Sequence, residues 1–176
     1  IGTGATAASI PQIMNHRIPV VGVLSGSDGL RDPKLNLIFH TRASYGAETS
    51  KMVEQLTTTG VKSIAVVYQD DPFGKAGLKS AQGAFSRYNI KPVLEAPLDM
   101  GKLDDLASTA EQISKTHPGA IIMVTAGKAS TAFIRAYLKT GERPQFFGVS
   151  VLSAKALLAS VGADAQGVVI AQVVPS

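Results

Sequence analysis

The sequence predicts an α/β fold: a three-layer, mostly parallel sheet with helices on both faces. Three observations predict it. Short apolar runs rich in β-branched residues alternate with longer segments whose apolar residues recur every three or four positions. Gly, Pro and Asp fall where one pattern gives way to the other. Several of the strand-like runs are nearly continuous rather than alternating, as strands covered on both faces should be.

The elements follow in order. The opening, Gly2 to Arg42, supplies a helix and two strands, at 19–24 (PVVGVL) and 37–42 (LIFHTR). A helix is predicted over 46–59 from the stripe Thr49, Met52, Val53 and Leu56, and Gly60 ends it as a left-handed residue. The run 63–69 (SIAVVYQ) is a strand. Asp71 and Pro72 then form a cap followed by proline at the first helical position, opening a helix over 73–89 with the stripe Ala76, Ala81, Ala84, Phe85 and Tyr88. A helix over 103–116 carries Leu103, Leu106, Ala107, Ala110 and Ile113 and is stopped by Pro118. Strand 120–125 (AIIMVT), helix 129–139 (Ala129, Ala132, Phe133, Ala136, Tyr137) with Gly141 behind it, strand 145–150 (QFFGVS), a short helix 154–160 capped by Ser153, and strand 167–174 (GVVIAQVV) complete the chain.

Bulk properties narrow the function classes. The chain has 176 residues, 45% hydrophobic and 17% charged, which is ample for a core. No apolar run approaches the roughly 18 residues that a membrane-spanning helix needs. The chain opens on Ile1-Gly2-Thr3 without a Met or a basic-then-apolar leader, which suggests a removed signal peptide or a fragment. With no cysteine there is no disulfide, no Cys-based zinc site and no thiol nucleophile. The net charge of +4 is spread as single Lys and Arg residues. Nucleic-acid binding would need a clustered basic stripe, and none is present.

Few local motifs carry chemistry. Gly2-Thr3-Gly4-Ala5-Thr6-Ala7 matches a loose G-x-G-x-x-A, but a dinucleotide site needs a preceding strand and an acidic residue about 20 positions on, and neither is clear because the sequence starts at the motif. Its more general reading is a small-residue loop whose amides face an anion at a helix start. Leu24-Ser25-Gly26-Ser27-Asp28-Gly29 follows a strand, where open α/β folds bind ligands. It is either a carboxylate-holding loop or a plain turn. In Gln69-Asp70-Asp71-Pro72-Phe73-Gly74, Asp71 is a cap and Asp70 is freer. Adjacent carboxylates in a turn point apart, and no third acidic residue completes a metal site. His16, His40 and His117 have no metal spacing. A nucleophile elbow and a P-loop are both missing. The expectation is a protein without catalytic residues, cofactor or metal.

Four segments together resemble the Leu/Ile/Val-binding-protein-like branch of the type I periplasmic solute-binding proteins. They are Gly2 to Ala8, VVGVLSGSDGLRDP (20–33), FHTRASYGAET (39–49) and IAVVYQDDPFGKAGL (64–78). The tail GVVIAQVVPS (167–176) is similar to that family's return crossover. The resemblance implies two α/β lobes joined by a hinge, with 1–41 a partial first lobe, 42–172 the second lobe and 173–176 the return hinge segment. It implies a small solute trapped between the lobes, delivery to an ABC-transporter membrane permease, and a periplasmic setting. Thr3 falls where a first-lobe hydroxyl meets the ligand carboxylate. Ser25, with either Gly26 or Ser27, falls where amides and a hydroxyl complete that site. Phe73 falls where an aromatic ring covers the ligand, Gly127 or Lys128 near a second contact, and Ser150 where amino-acid binders place an acidic residue for the ligand's ammonium group.

Ser150 is a departure, because a hydroxyl cannot pair an ammonium ion and an unpaired buried charge is costly. The expected ligand is a small carboxylate, an amino acid only if Asp70 or Asp71 substitutes, and otherwise an aromatic or aliphatic acid. Lys128 either adds a positive charge or is a solvated helix start. Two other readings compete: a nucleotide-dependent enzyme on a Rossmann- or flavodoxin-like sheet, and a sensory ligand-binding domain of the same fold. Sheet edges left open in a fragment also suggest a homodimer.

Overall fold

The structure is a computed structural model, and it describes residues 2–173. The chain runs α1 (Thr3–Asn15), β1 (Val20–Val21), a 3-10 turn (Asp28–Leu30), β2 (Ile38–Phe39), α2 (Tyr45–Thr58), β3 (Ile64–Gln69), α3 (Pro72–Arg87) and β4 (Leu94–Leu98). It continues through α4 (Ala107–Ser114), β5 (Ala120–Val124), α5 (Lys128–Leu138), β6 (Gln145–Gly148), α6 (Ala154–Val161), a second 3-10 turn (Gly162–Ala165) and β7 (Val169–Ile170).

The main sheet has five strands in the order β4-β3-β5-β6-β7, every neighbouring pair parallel. Every side chain of β5 is fully buried, as are Ile64 to Val67 of β3. Alternate residues therefore face opposite layers. Ile64, Val66, Ile122, Val124 and Phe147 pack on Met52, Val53 and Leu56 of α2 and on Ala81, Ala84 and Phe85 of α3. Ala65, Val67, Ile121, Met123 and Phe146 pack on α4, α5 and α6 through Ile113, Phe133, Ile134, Tyr137 and Leu157. These are the three layers that the apolar runs predict.

A second sheet joins only β1 and β2, paired parallel as Val20 with Ile38 and Val21 with Phe39. It packs with α1 in a separate apolar cluster built on Ile13, Val23 and Ile38. The unit of α1, β1 and β2 is small, and its far side leaves Val21 70% and Phe39 51% exposed.

The punctuation acts as predicted. Ser44, Asp71 and Ser153 each accept a hydrogen bond from the third residue onward, capping α2, α3 and α6. Gly60 and Gly141 have φ of 82° and 86°, the left-handed turn that stops a helix.

Five details differ from the sequence pattern. Thr3 to Ala7 is the first part of α1, with Gly2 as its N-cap, not a loop before a helix. The pattern at 19–24 and 37–42 condenses to two-residue strands, because the small sheet has only one ladder. Strand β7 spans 169–170; Val174 and the rest of the tail, like Ile1, lie outside the described residues. The helix expected over 103–116 begins at Ala107, with Leu103 and Leu106 packing from the approach to it. Strand β4 has no counterpart in the predicted elements. It is an edge strand containing Glu95 and Pro97, so it lacks an apolar run, and Pro at an edge costs no central ladder bond.

Tyr137 is fully buried between α5 and the sheet, and its hydroxyl has no hydrogen-bond partner. Burial, with a smaller contribution from the Glu142 charge, pushes its pKa up to about 12 from an ordinary 10.0. The folded state thus keeps this proton to a higher pH than the unfolded chain does. Its share of stability is full below pH 10 and is lost as pH rises through about 12. Comparing urea denaturation of the protein and Tyr137→Phe across this range should show the unsubstituted protein losing ground only in the alkaline window. Near neutrality the two should agree within about 1 kcal/mol.

Candidate functional site

All the strands of the main sheet point the same way, so the loops leaving their carboxyl ends share one edge. Phe73 lies just beyond β3, Gly127 and Lys128 beyond β5, and Ser150 beyond β6. The small unit faces this edge. A methyl group on Gly4 would sit 3.3 Å from Cγ of Pro72, so the start of α1 abuts the start of α3.

Two hydroxyls and an amide of the small unit converge. Thr3 Oγ1 and Ser25 Oγ are 2.7 Å apart, and Ser25 Oγ accepts a hydrogen bond from the Ser27 amide at 3.2 Å. Thr3, Ser25 and Ser27 are all buried. Between the two serines, Gly26 lies so close to Tyr45 that a Cβ would fall 2.6 Å from its ring. The Gly26 carbonyl accepts from the Tyr45 amide at 2.6 Å, and the Tyr45 ring meets Phe73 edge-on at 5.5 Å. Thus Thr3, Ser25, Gly26, Ser27 and Phe73 are linked through Tyr45 and Pro72.

The edge is tied together laterally. Gln69 donates from Nε2 to Asp71 at 2.9 Å and accepts from the Ala126 amide at 2.7 Å, bridging β3 to the loop after β5. Thr125 and Ser130 share a buried hydroxyl contact of 2.8 Å that closes the turn around Gly127 and Lys128. Both of those residues are exposed, Gly127 as the N-cap of α5 and Lys128 as its first residue.

Ser150 belongs to a different cluster. Its amide donates to Glu48 Oε2 at 2.7 Å and its hydroxyl to Glu48 Oε1 at 2.8 Å. Arg42 donates to the Ser150 hydroxyl and stands 3.6 Å from Glu48 Oε1, the two charged side chains being 10% and 2% exposed. Arg42 and Glu48 do not figure among the sequence candidates. Glu48 had a signal: it sits four residues before Met52, on the buried stripe of α2, where a carboxylate needs a partner. Arg42 lies six residues before Glu48, outside the helix and off its three-or-four-residue spacing, and Ser150 is 102 positions away, so neither partner is read from spacing.

Three acidic residues near these loops are engaged. Asp71 caps α3 through the Gly74 amide at 2.8 Å. Asp70 pairs with Lys75 at 2.8 Å, in solvent, and this hydrogen bond holds the Lys75 ammonium above its usual pKa. Asp28 Oδ2 accepts from the Gly46 amide at 3.0 Å and from Ser80 Oγ at 2.7 Å. Among the described residues no group of three His, Cys, Asp or Glu side chains could hold a metal.

The family model of the periplasmic binding proteins matches residues 1–175. The chain belongs to that family. It is a family of binders rather than enzymes, and membership implies an extracytoplasmic setting. This binding protein resembles a possible leucine/isoleucine/valine-binding protein from Rhodopirellula baltica at 30% identity and a TM-score of 0.88, over 99% of this chain and 48% of that one. A substrate-binding periplasmic protein from Ralstonia solanacearum matches at 26% identity and a TM-score of 0.88, over 99% and 50% of the two chains. A branched-chain amino acid ABC transporter protein from Thermus thermophilus with bound valine, 22% identical, shares the fold at a TM-score of 0.87 over 97% and 44%. A search of curated proteins finds no match. The chain spans about half the length of these solved relatives.

The buried Arg42–Glu48 pair sets a stability prediction for this binding protein. Arg42→Ala leaves Glu48 buried against Ser150 without its counter-charge, and should cost about 3 kcal/mol in urea denaturation. Adding Glu48→Gln should recover part of that loss, a non-additivity that marks direct coupling.

Proposed function

We propose that this protein is the solute-capturing component of an ABC importer in the periplasm. It would close two lobes on a small carboxylate that lacks an amine and present it to a membrane permease. Residues 1–41 would belong to the first lobe, 42–172 to the second and 173–176 to the return hinge. The anchors would be the hydroxyls of Thr3, Ser25 and Ser27, with the Gly26 backbone between them. Phe73 would cover the solute, and Gly127 or Lys128 would lie near its far end.

One observation carries the choice of solute: hydroxyls at Thr3 and Ser25 beside four acidic groups, Asp28, Glu48, Asp70 and Asp71, each of which has a partner. Glu48 is neutralised by Arg42 and consumes both donors of Ser150. Asp71 is a cap, Asp70 holds Lys75, and Asp28 holds Gly46 and Ser80. An ammonium group would find none of these four carboxylates spare and would lose its hydration without compensation. A carboxylate among hydroxyls and amides would be well solvated. Valine in the Thermus thermophilus relative is the natural contrast.

A thermal-shift comparison with benzoate, isobutyrate, valine and AMP tests the reading, because a ligand of the folded state raises the midpoint by mass action. Benzoate or isobutyrate should raise it and valine should not. A rise with valine alone would keep solute capture and discard the amine-free class. A rise with AMP alone would replace both with a nucleotide site.

A further inference from the structure

The small unit and the five-stranded unit have separate apolar clusters, so something other than a shared core must hold them face to face. Beside the Gly26–Tyr45 and Gly4–Pro72 contacts, Asp28 contributes to this with a single carboxylate oxygen. It lies in the turn that follows the Ser25–Ser27 loop, and its Oδ2 reaches the Gly46 amide at 3.0 Å and the Ser80 hydroxyl at 2.7 Å. Its partners stand on two different helices of the other unit, α2 and α3. The approach is close: a Cβ on Gly46 would come within 3.0 Å of Asp28 Oδ2, so the position tolerates only glycine without movement.

The charge is well placed. Gly46 is in the first turn of a 14-residue helix, whose amides carry partial positive charge. No Lys or Arg side chain pairs with Asp28 among the described residues, so the helix end is what meets its charge. Asp28 is exposed, with grooves of about 640 Å³ and about 410 Å³ beside it. All three groups can be rehydrated when they separate. The contact is therefore favourable when the units are together and inexpensive to release.

We propose that Asp28 is a positioning residue that clasps the small unit onto α2 and α3 and so holds the Ser25–Ser27 loop over Phe73. The proposal rests on the two-lobe solute-capture reading for its purpose, but its geometry can be tested alone. The chain has no cysteine, so spin labels can be placed at Lys34→Cys on the small unit and Lys91→Cys on the other, both exposed. Double electron–electron resonance then reads the distance between the units.

With Asp28 intact the short distance should dominate. Asp28→Ala should lower the ratio of short to long distances about fivefold. Asp28→Asn should lower it less, because its amide oxygen still accepts both hydrogen bonds. Ser80→Ala, a helix-favouring change on the other side of the bond, should also lower it. Combined with Asp28→Ala it should add little. An unchanged distribution in Asp28→Ala, or fully additive effects of the two substitutions, would overturn the clasp.

Dissociation of benzoate and of valine from the same variants separates the two ideas. If the distances shift but neither probe binds any variant, the clasp stands and the solute-capture reading falls. If a probe binds and Asp28→Ala changes neither its off-rate nor the distances, the clasp falls and the reading stands.

Discussion

Double-sided burial of the central strands is the constraint from which the rest of the architecture follows. β5 exposes none of its side chains, and neither does the first part of β3. Strands with two apolar faces require a layer on each, so α2 and α3 take one side while α4, α5 and α6 take the other. Parallel strands cannot be joined by tight hairpins, and the helical crossovers that join them supply those layers. The same parallelism delivers Phe73, Gly127, Lys128 and Ser150 to a single edge, though they are separated by up to 77 positions, from 73 to 150. The clustering of the candidate site is thus a by-product of how the core is covered.

The junction with the small unit obeys a different rule. Its contacts are polar or small: hydroxyls at Thr3 and Ser25, the Gly26 carbonyl, the Asp28 carboxylate and the Gly4–Pro72 approach. Tyr45 is the exception, with its ring buried between the Gly26 loop and Phe73. Groups that water can satisfy part at little cost, whereas apolar surfaces resist exposure in proportion to their area. A core and a polar junction have opposite compositions, and this chain supplies both within 176 residues.

Much of this was legible in the sequence, for reasons that can be named. AIIMV and IAVVYQ are too short and too apolar for anything but buried strands, and the stripes of α2, α3 and α5 place their apolar residues on the packed faces, Ala76 of α3 and Tyr88 at its end excepted. β4 was hidden because an edge strand needs no second apolar face, and Glu95 and Pro97 break its pattern. In the candidate site, the Ser25–Ser27 loop was visible from its position after a strand. Tyr45 was not, because a lone aromatic at a helix start carries no spacing to read. The Arg42–Glu48–Ser150 cluster joins residues up to 108 positions apart, and only the folded topology brings them together.

That cluster also has a consequence for how such a protein can diverge. Ser150 donates both its amide and its hydroxyl to Glu48, and Arg42 spans the two. An aspartate arriving at 150 would meet the Glu48 carboxylate directly, and like charges at that range repel strongly. An acidic residue at 150 could not be acquired in that step alone. Position 48 would have to change first, leaving Arg42 stranded, or at the same time. The three residues form an epistatic lock, and a descendant acidic at 150 would have to pass through a less stable intermediate to open it.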